Sequence, residues 1–290
     1  MRSPRTVRIA FACLTFAIIA VAALTPGRAA AEPDSVAAVI SGPDGTLYLL
    51  YDGQKHRAAP ATLAALGLDE RTTEIVTQPT LEALPAAAPL PAIPNGTFLA
   101  GADGRRYLVL NGLHAIPDDA TFAAYGWAGR DGFPAVPVQR ADDALLAALP
   151  QAAPIAPTVP AADEDRFDWG YCTWWVAHRR AVRWQGDAVE WYANAQAAGF
   201  AVGAIPVPGA ILVRESATWG GYGHVAYVES VSGTSFTVSE MNVNGVGELS
   251  TRTYDMASDP PPGLLGFVYW RYSPAPAPPA TPTGSPLLPS

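Results

Sequence analysis

Of the two cysteines in this 290-residue chain, only Cys172 lies outside the apolar run near the N-terminus. It opens Cys172-Thr173-Trp174-Trp175-Val176-Ala177-His178-Arg179, whose apolar spacing is helical and which follows the turn-like Asp168-Trp169-Gly170. A thiol at a helix start meets unpaired N–H groups and the positive end of the helix dipole. Both stabilise a thiolate and make the sulfur nucleophilic near neutral pH. The same N–H groups are placed to hold an oxyanion. A lone cysteine is more commonly an inert buried side chain, so the chemistry depends on whether a base accompanies it.

His224 supplies one. It follows Gly220-Gly221-Tyr222-Gly223 and begins an apolar strand running to Val231, with Ser235 to Asn242 as the antiparallel partner across Ser232-Gly233-Thr234. A three-residue loop there sets 231 opposite 235, 226 opposite 240 and 224 opposite 242. His224, Glu240 and Asn242 then share a face, with Glu240 on the diagonal at roughly 7–8 Å. A two-residue loop would put histidine and glutamate on opposite faces. Histidine with a carboxylate is the base and orienter that a thiol nucleophile requires.

The residues around these positions resemble the CHAP family, the cysteine, histidine-dependent amidohydrolases and peptidases. The resemblance rests on Gly170-Tyr171-Cys172-Thr173-Trp174-Trp175-Val176-Ala177, Gly186-Asp187-Ala188 with Trp191, Pro206-Val207-Pro208-Gly209-Ala210-Ile211, Gly223-His224-Val225-Ala226-Tyr227-Val228 and Ser239-Glu240-Met241-Asn242. It implies a papain-like α+β fold and cleavage of amide bonds in peptidoglycan, at the muramic acid to L-alanine bond or within peptide stems and bridges. By resemblance Cys172 is the nucleophile, His224 the general base and then acid, Glu240 its orienter and Asn242 a further polar residue of the site. Tyr171 stands where the family often has glutamine. Tyr171, Tyr222 and Trp219 are expected substrate contacts. Some members bind calcium through acids before the cysteine; Asp163 and Asp165 stand in such places, but an ordinary solvated acidic run is the preferred reading. No metal or other cofactor is expected, and His56, His114 and His178 read as surface histidines.

The catalytic motifs occupy residues 161–272, and the rest of the chain is organised differently. Residues 44–68 recur at 103–127 with ten identities in 25 positions, including Asp44-Gly45 with Asp103-Gly104 and Ala61-Thr62 with Ala120-Thr121. Each copy reads as a small ββα module followed by an Ala/Pro-rich stretch, Pro85–Pro94 or Pro150–Pro160, of the kind that forms a stiff spacer. The expected boundaries are 32–94 and 95–160 for the modules with their spacers and 273–290 for a disordered proline-rich tail. Because no catalytic motif precedes Asp163, residues 32–160 are expected to fold without the enzyme and 161–272 to keep the thiol chemistry alone.

Residues 1–31 carry three early arginines, an uncharged run from Ile9 to Leu24 and Ala29-Ala30-Ala31 before Glu32, the order of a removable secretory signal and not of a retained span. The protein is therefore expected outside the cell or at its wall. With 18 basic against 26 acidic residues the net charge is −8, which argues against nucleic acid or an anionic membrane as partner. Residues 32–160 hold seven basic and fourteen acidic residues, so any wall contact by the repeats would rest on shape and on aromatics such as Tyr48, Tyr107 and Trp127. Two other functions compete with wall hydrolysis: a wall-associated binding protein with an inactive domain, and a thiol amidase acting on a non-wall amide.

Overall fold

The computed structural model describes residues 37–68, 73–215 and 220–274. The expected signal at 1–31 and the tail beyond 274 lie outside the described residues, as does Trp219. Among the described residues no helix is long and apolar enough to cross a membrane.

Each repeat is larger than ββα. In the first, β1 (Ala38–Ser41), β2 (Leu47–Tyr51), β3 (Gln54–Arg57), α1 (Pro60–Ala65), β4 (Glu74–Ile75) and α2 (Gln78–Ala83) build a four-stranded sheet in the order β3-β2-β1-β4. The second repeats this with β5 (Phe98–Ala100), β6 (Arg106–Val109), β7 (Leu113–Ile116), α3 (Asp119–Ala124), β8 (Val138–Arg140) and α4 (Asp143–Ala148), in the order β7-β6-β5-β8. The ββα reading captured the middle of each unit. It missed the strand before each Asp-Gly turn and the short parallel strand and helix that close the sheet. The two copies are not equal. Their first helices start 59 residues apart, at Pro60 and Asp119, and their second helices 65 apart, at Gln78 and Asp143. Six extra residues therefore lie between the two helices of the second copy.

The proline-rich stretches are extended, as their composition predicts, but they are docked and do not act as free spacers. The first runs along β3, with Lys55 N–H bonded to Pro85 O and Leu90 N–H to Arg57 O. The second runs along β7, with Ala152 N–H on Leu113 O and Ile155 N–H on Ala115 O. Proline cannot donate to a ladder, and both stretches lie at a sheet edge, where that loss is tolerated.

Residues 163–272 contain α5 (Cys172–Arg179), α6 (Trp191–Ala197), β9 (Val202–Gly203), β10 (Ile211–Arg214), β11 (His224–Ser232), β12 (Ser235–Met241), β13 (Leu249–Asp255) and β14 (Leu264–Val268). The strands form one antiparallel sheet in the order β13-β12-β11-β10-β14-β9, and α5 packs on β11 and β12.

The core of this sheet does not stop at residue 161. Phe98, Leu108, Phe122, Tyr125 and Trp127 of the second repeat belong to the same buried cluster as Val176, Ile211, Tyr227 and Trp270. Trp127 is fully buried, donates its indole N–H to Pro208 O at 3.0 Å and packs at 5.5 Å from the Trp270 ring. A Cβ on Gly209, whose φ is +87°, would lie 2.1 Å from Trp127 Nε1, so only glycine admits this approach. A continuous apolar core thus crosses the expected boundary at residue 161, and Trp127 is buried in it instead of being displayed for a wall contact.

Candidate active site

The hairpin that carries the histidine reaches its register by an unforeseen route. Its turn has two residues, not three: Ser232 pairs with Ser235, and Gly233 takes φ +63°. Continued regularly, that pairing would separate His224 from Glu240. A one-residue bulge intervenes at Glu229, between Ser230 opposite Thr237 and Val228 opposite Val238, and restores Tyr227 opposite Ser239. His224 and Glu240 consequently share a face after all, and His224 Nε2–H donates to Glu240 Oε2 at 2.9 Å.

Cys172 is the first residue of α5, as its sequence context implies, and Tyr171 ahead of it is extended. With Nε2 of His224 on Glu240, Nδ1 is the nitrogen left for the sulfur. Cys172 and His224 line the same cleft, and His224 and the backbone N–H groups of Val225 and Thr173 are the groups that act on the thiol. Burial pushes the Cys172 thiol up, but the hydrogen bond and charge of His224, with those two N–H groups, outweigh it and hold the thiol below its ordinary value. Burial pulls His224 down; its bonds to Cys172 and Glu240 outweigh that and hold the imidazole above its ordinary value. Opposite shifts of this kind favour a thiolate and imidazolium pair.

Cys172 and His224 line a cleft of about 610 Å³ with Asp168, Tyr171, Asp187, Tyr222 and Asn242. Tyr171 and Tyr222 are exposed on its wall. Asn242 adopts φ +65°, a left-handed conformation that asparagine tolerates, and its N–H bonds Glu248 O at 3.2 Å. Asp163 is not the solvated carboxylate expected: it is buried, and both of its oxygens are occupied, by Arg166, Arg183 and the Val182 N–H. Two guanidinium groups there would repel calcium, and Asp165 is exposed on the same turn. Among the described residues no group of three or more His, Cys, Asp or Glu side chains is placed to hold a metal ion.

Two of the three remaining histidines are not simple surface groups. His114 is buried between the carbonyls of Ala153 and Leu110, and His178 bridges Asp131 at 2.9 Å and Glu164 at 3.4 Å. Sequence reasoning missed Arg214. It is buried, pairs across the sheet with His224, and places Nη2 4.0 Å from Glu240 Oε2. The available signal was a charge ending the apolar strand Ile211-Leu212-Val213.

Replacing Glu240 with alanine removes one of the two partners that raise His224. The imidazole should titrate lower and, being less charged, should hold the thiol down less. The pH window of thiolate and imidazolium therefore narrows from both sides, and the pH dependence of Cys172 alkylation in Glu240→Ala should show its acid limb moved up. An unmoved limb would remove Glu240 from the pair.

Residues 162–242 match the CHAP domain model. Over 83 residues the chain is 42% identical to an N-acetylmuramoyl-L-alanine amidase sle1 of Staphylococcus saprophyticus, covering 26% of this chain and 24% of that protein. Over 90 residues it is 44% identical to the staphylococcal secretory antigen ssaA2 of Staphylococcus aureus, covering 29% and 32% respectively. A crystal structure of an N-acetylmuramoyl-L-alanine amidase from Staphylococcus aureus aligns with 34% identity over 35% of this chain and 31% of that one, at a TM-score of 0.31. The chain thus spans about a third or less of the length of these relatives. The matched stretch contains Cys172, His224, Glu240 and Asn242, and residues 162–242 are a CHAP domain.

Proposed function

We propose that the protein is an exported, cysteine-dependent hydrolase of peptidoglycan amide bonds, acting at the muramoyl to L-alanine linkage or within the peptide stems and bridges. The observation that carries this is the buried Cys172, His224 and Glu240 array opening on a cleft. An inactive binding domain would have no need to retain it. The names of the matched relatives favour the muramoyl linkage, and the N-terminal pattern of residues 1–31 favours export.

In the reaction, the Cys172 thiolate attacks the amide carbonyl carbon and the carbonyl π electrons move to oxygen. Backbone N–H groups at the start of α5 stabilise that oxyanion. Collapse breaks the C–N bond as His224 gives its proton to the departing amine, leaving a thioester. His224, now neutral, takes a proton from water, whose oxygen attacks the thioester; the acid product leaves and the thiolate and imidazolium pair returns. Glu240 keeps the ring oriented throughout, and Asn242 lines the cleft for a polar group of the substrate.

Purified peptidoglycan digested with the protein and analysed by mass spectrometry is expected to release peptides with a free N-terminal alanine from intact glycan. Fragments cut inside stems or bridges would assign endopeptidase specificity. No change in the wall would sink the substrate class.

A further inference from the structure

The bulge at Glu229 is held from outside the hairpin. Its carboxylate accepts from Arg179 Nε at 3.2 Å and Nη2 at 2.7 Å, a two-pronged pair, and from Ser239 Oγ at 2.5 Å. Ser239 in turn accepts from Trp175 Nε1 at 2.9 Å. Cys172, Trp175 and Arg179 are spaced i, i+3, i+7, so they lie on one face of α5. One rigid helix therefore touches the hairpin both at the reactive sulfur and at the bulge.

Arg179 is buried and enclosed. Its Nη1 donates to Arg130 O at 3.0 Å, and the rings of Tyr227 and Phe133 lie 4.5 Å and 4.8 Å from its guanidinium. Arg130 and Phe133 belong to the lengthened segment of the second repeat. A buried guanidinium without its carboxylate is strongly disfavoured, so each partner keeps the other in place. If the extra residue were drawn into regular pairing instead, Tyr227 would face Glu240, and His224 would turn away from it.

We propose that Arg179 and Glu229 are positioning residues for the reactive pair: their ion pair pins the bulge, and the bulge keeps His224 on the face of Glu240. This rests on Cys172 being the nucleophile, which the unsubstituted protein tests in the same experiment.

The experiment is the pH dependence of Cys172 alkylation by iodoacetamide in the full chain, followed at the Cys172 peptide by mass spectrometry, with circular dichroism and wall hydrolysis alongside. Glu240, Arg214, Arg166, Asp168 and Asp187, the charged groups around the pair, are unchanged in every variant, so a shift reports the hairpin. The unsubstituted protein should show a midpoint below the ~8.5 of a free thiol. Arg179→Met with Glu229→Ala leaves the extra residue unpinned and no buried charge uncompensated. Its midpoint should rise toward ~8.5, and hydrolysis should fall about 10–100-fold, as for misplacement of reacting groups by an ångström or less.

Arg179→Met with Glu229 deleted removes the extra residue itself. A two-residue turn then still sets Tyr227 opposite Ser239, and the midpoint should stay at the unsubstituted value. The proposal is overturned if the folded double substitution keeps the low midpoint, or if the folded deletion variant loses it equally. Should the double substitution not fold, Glu229→Gln must move the midpoint upward; an unmoved midpoint overturns the proposal too. An unsubstituted midpoint already near ~8.5 would instead refute the nucleophile assignment.

Discussion

Cys172→Ala should reduce peptidoglycan hydrolysis by about 10⁴–10⁶-fold, the range seen when a nucleophile that works as part of a unit is removed. The fold should persist. The substitution deletes one sulfur atom at the edge of the cleft, and alanine suits the first turn of α5. In the active protein the rate should depend on pH in a stated direction. The thiol is held below its ordinary value and the imidazole above its own, so the reactive pair exists between the two. Activity should rise as pH increases through the lowered Cys172 value and fall as pH increases through the raised His224 value. A pH profile of kcat/KM, with Cys172→Ala as the blank, checks both. Hydrolysis that survives in purified Cys172→Ala at more than a trace would remove the thiol mechanism, whatever the profile.

The residues proposed to react stand out in the sequence because their types are rare in this chain and their contexts are local. A thiol at a helix start and a histidine after a glycine-rich loop need only a few neighbours to be read. The hairpin was legible in outcome but not in cause. Val228 and Val231, three apart, both face inward because Glu229 is extra; the consecutive polar pair Glu229-Ser230 inside an apolar strand was the available sign. What sets the bulge was out of reach, since Arg179 meets Glu229 across 50 residues of sequence. The docked proline stretches misled for a related reason. Composition predicts an extended backbone, but it carries no information on whether the third strand of a repeat lies alongside.

The duplication misled in the opposite way, by suggesting that two equal copies have equal roles. At the position where the first copy has Leu68 the second has Trp127, and the six added residues lie between it and β8. This lengthened segment adds polar and ring contacts with the CHAP domain to those of the shared core. Arg130 Nη1 donates to His178 O at 2.7 Å, Asp131 holds His178, and the Phe133 ring lies 6.0 Å from that of Trp175. Just before it, Tyr125 O accepts from the Tyr227 hydroxyl at 2.8 Å and Ala124 O from Ala181 N–H at 2.7 Å. These contacts grip α5 at its C-terminal end and β11 at its middle. The second repeat is thereby tied to the two elements that carry Cys172 and His224.

A fragment spanning residues 161–274 should therefore fail to fold stably, although it contains every side chain proposed to be catalytic. Without the second repeat it would expose Trp270, which is fully buried, along with Tyr227 and the ring-lined seat of Trp127. The cut can be approximated by one substitution in the full chain. Trp127→Ala removes an indole that is wholly buried and leaves Pro208 O without its donor. Loss of a buried aromatic of this size costs about 3–5 kcal/mol, a large part of the roughly 5–15 kcal/mol that holds a domain together. At about 2–4 °C per kcal/mol for a chain of this length, the melting temperature should fall by roughly 6–20 °C. Thermal unfolding of Trp127→Ala and of the 161–274 fragment, each followed by circular dichroism and by Cys172 alkylation, measures the dependence. A fragment that melts cooperatively near the full-length temperature with its thiol still activated would show that the shared core is dispensable, and the second repeat would revert to an appendage.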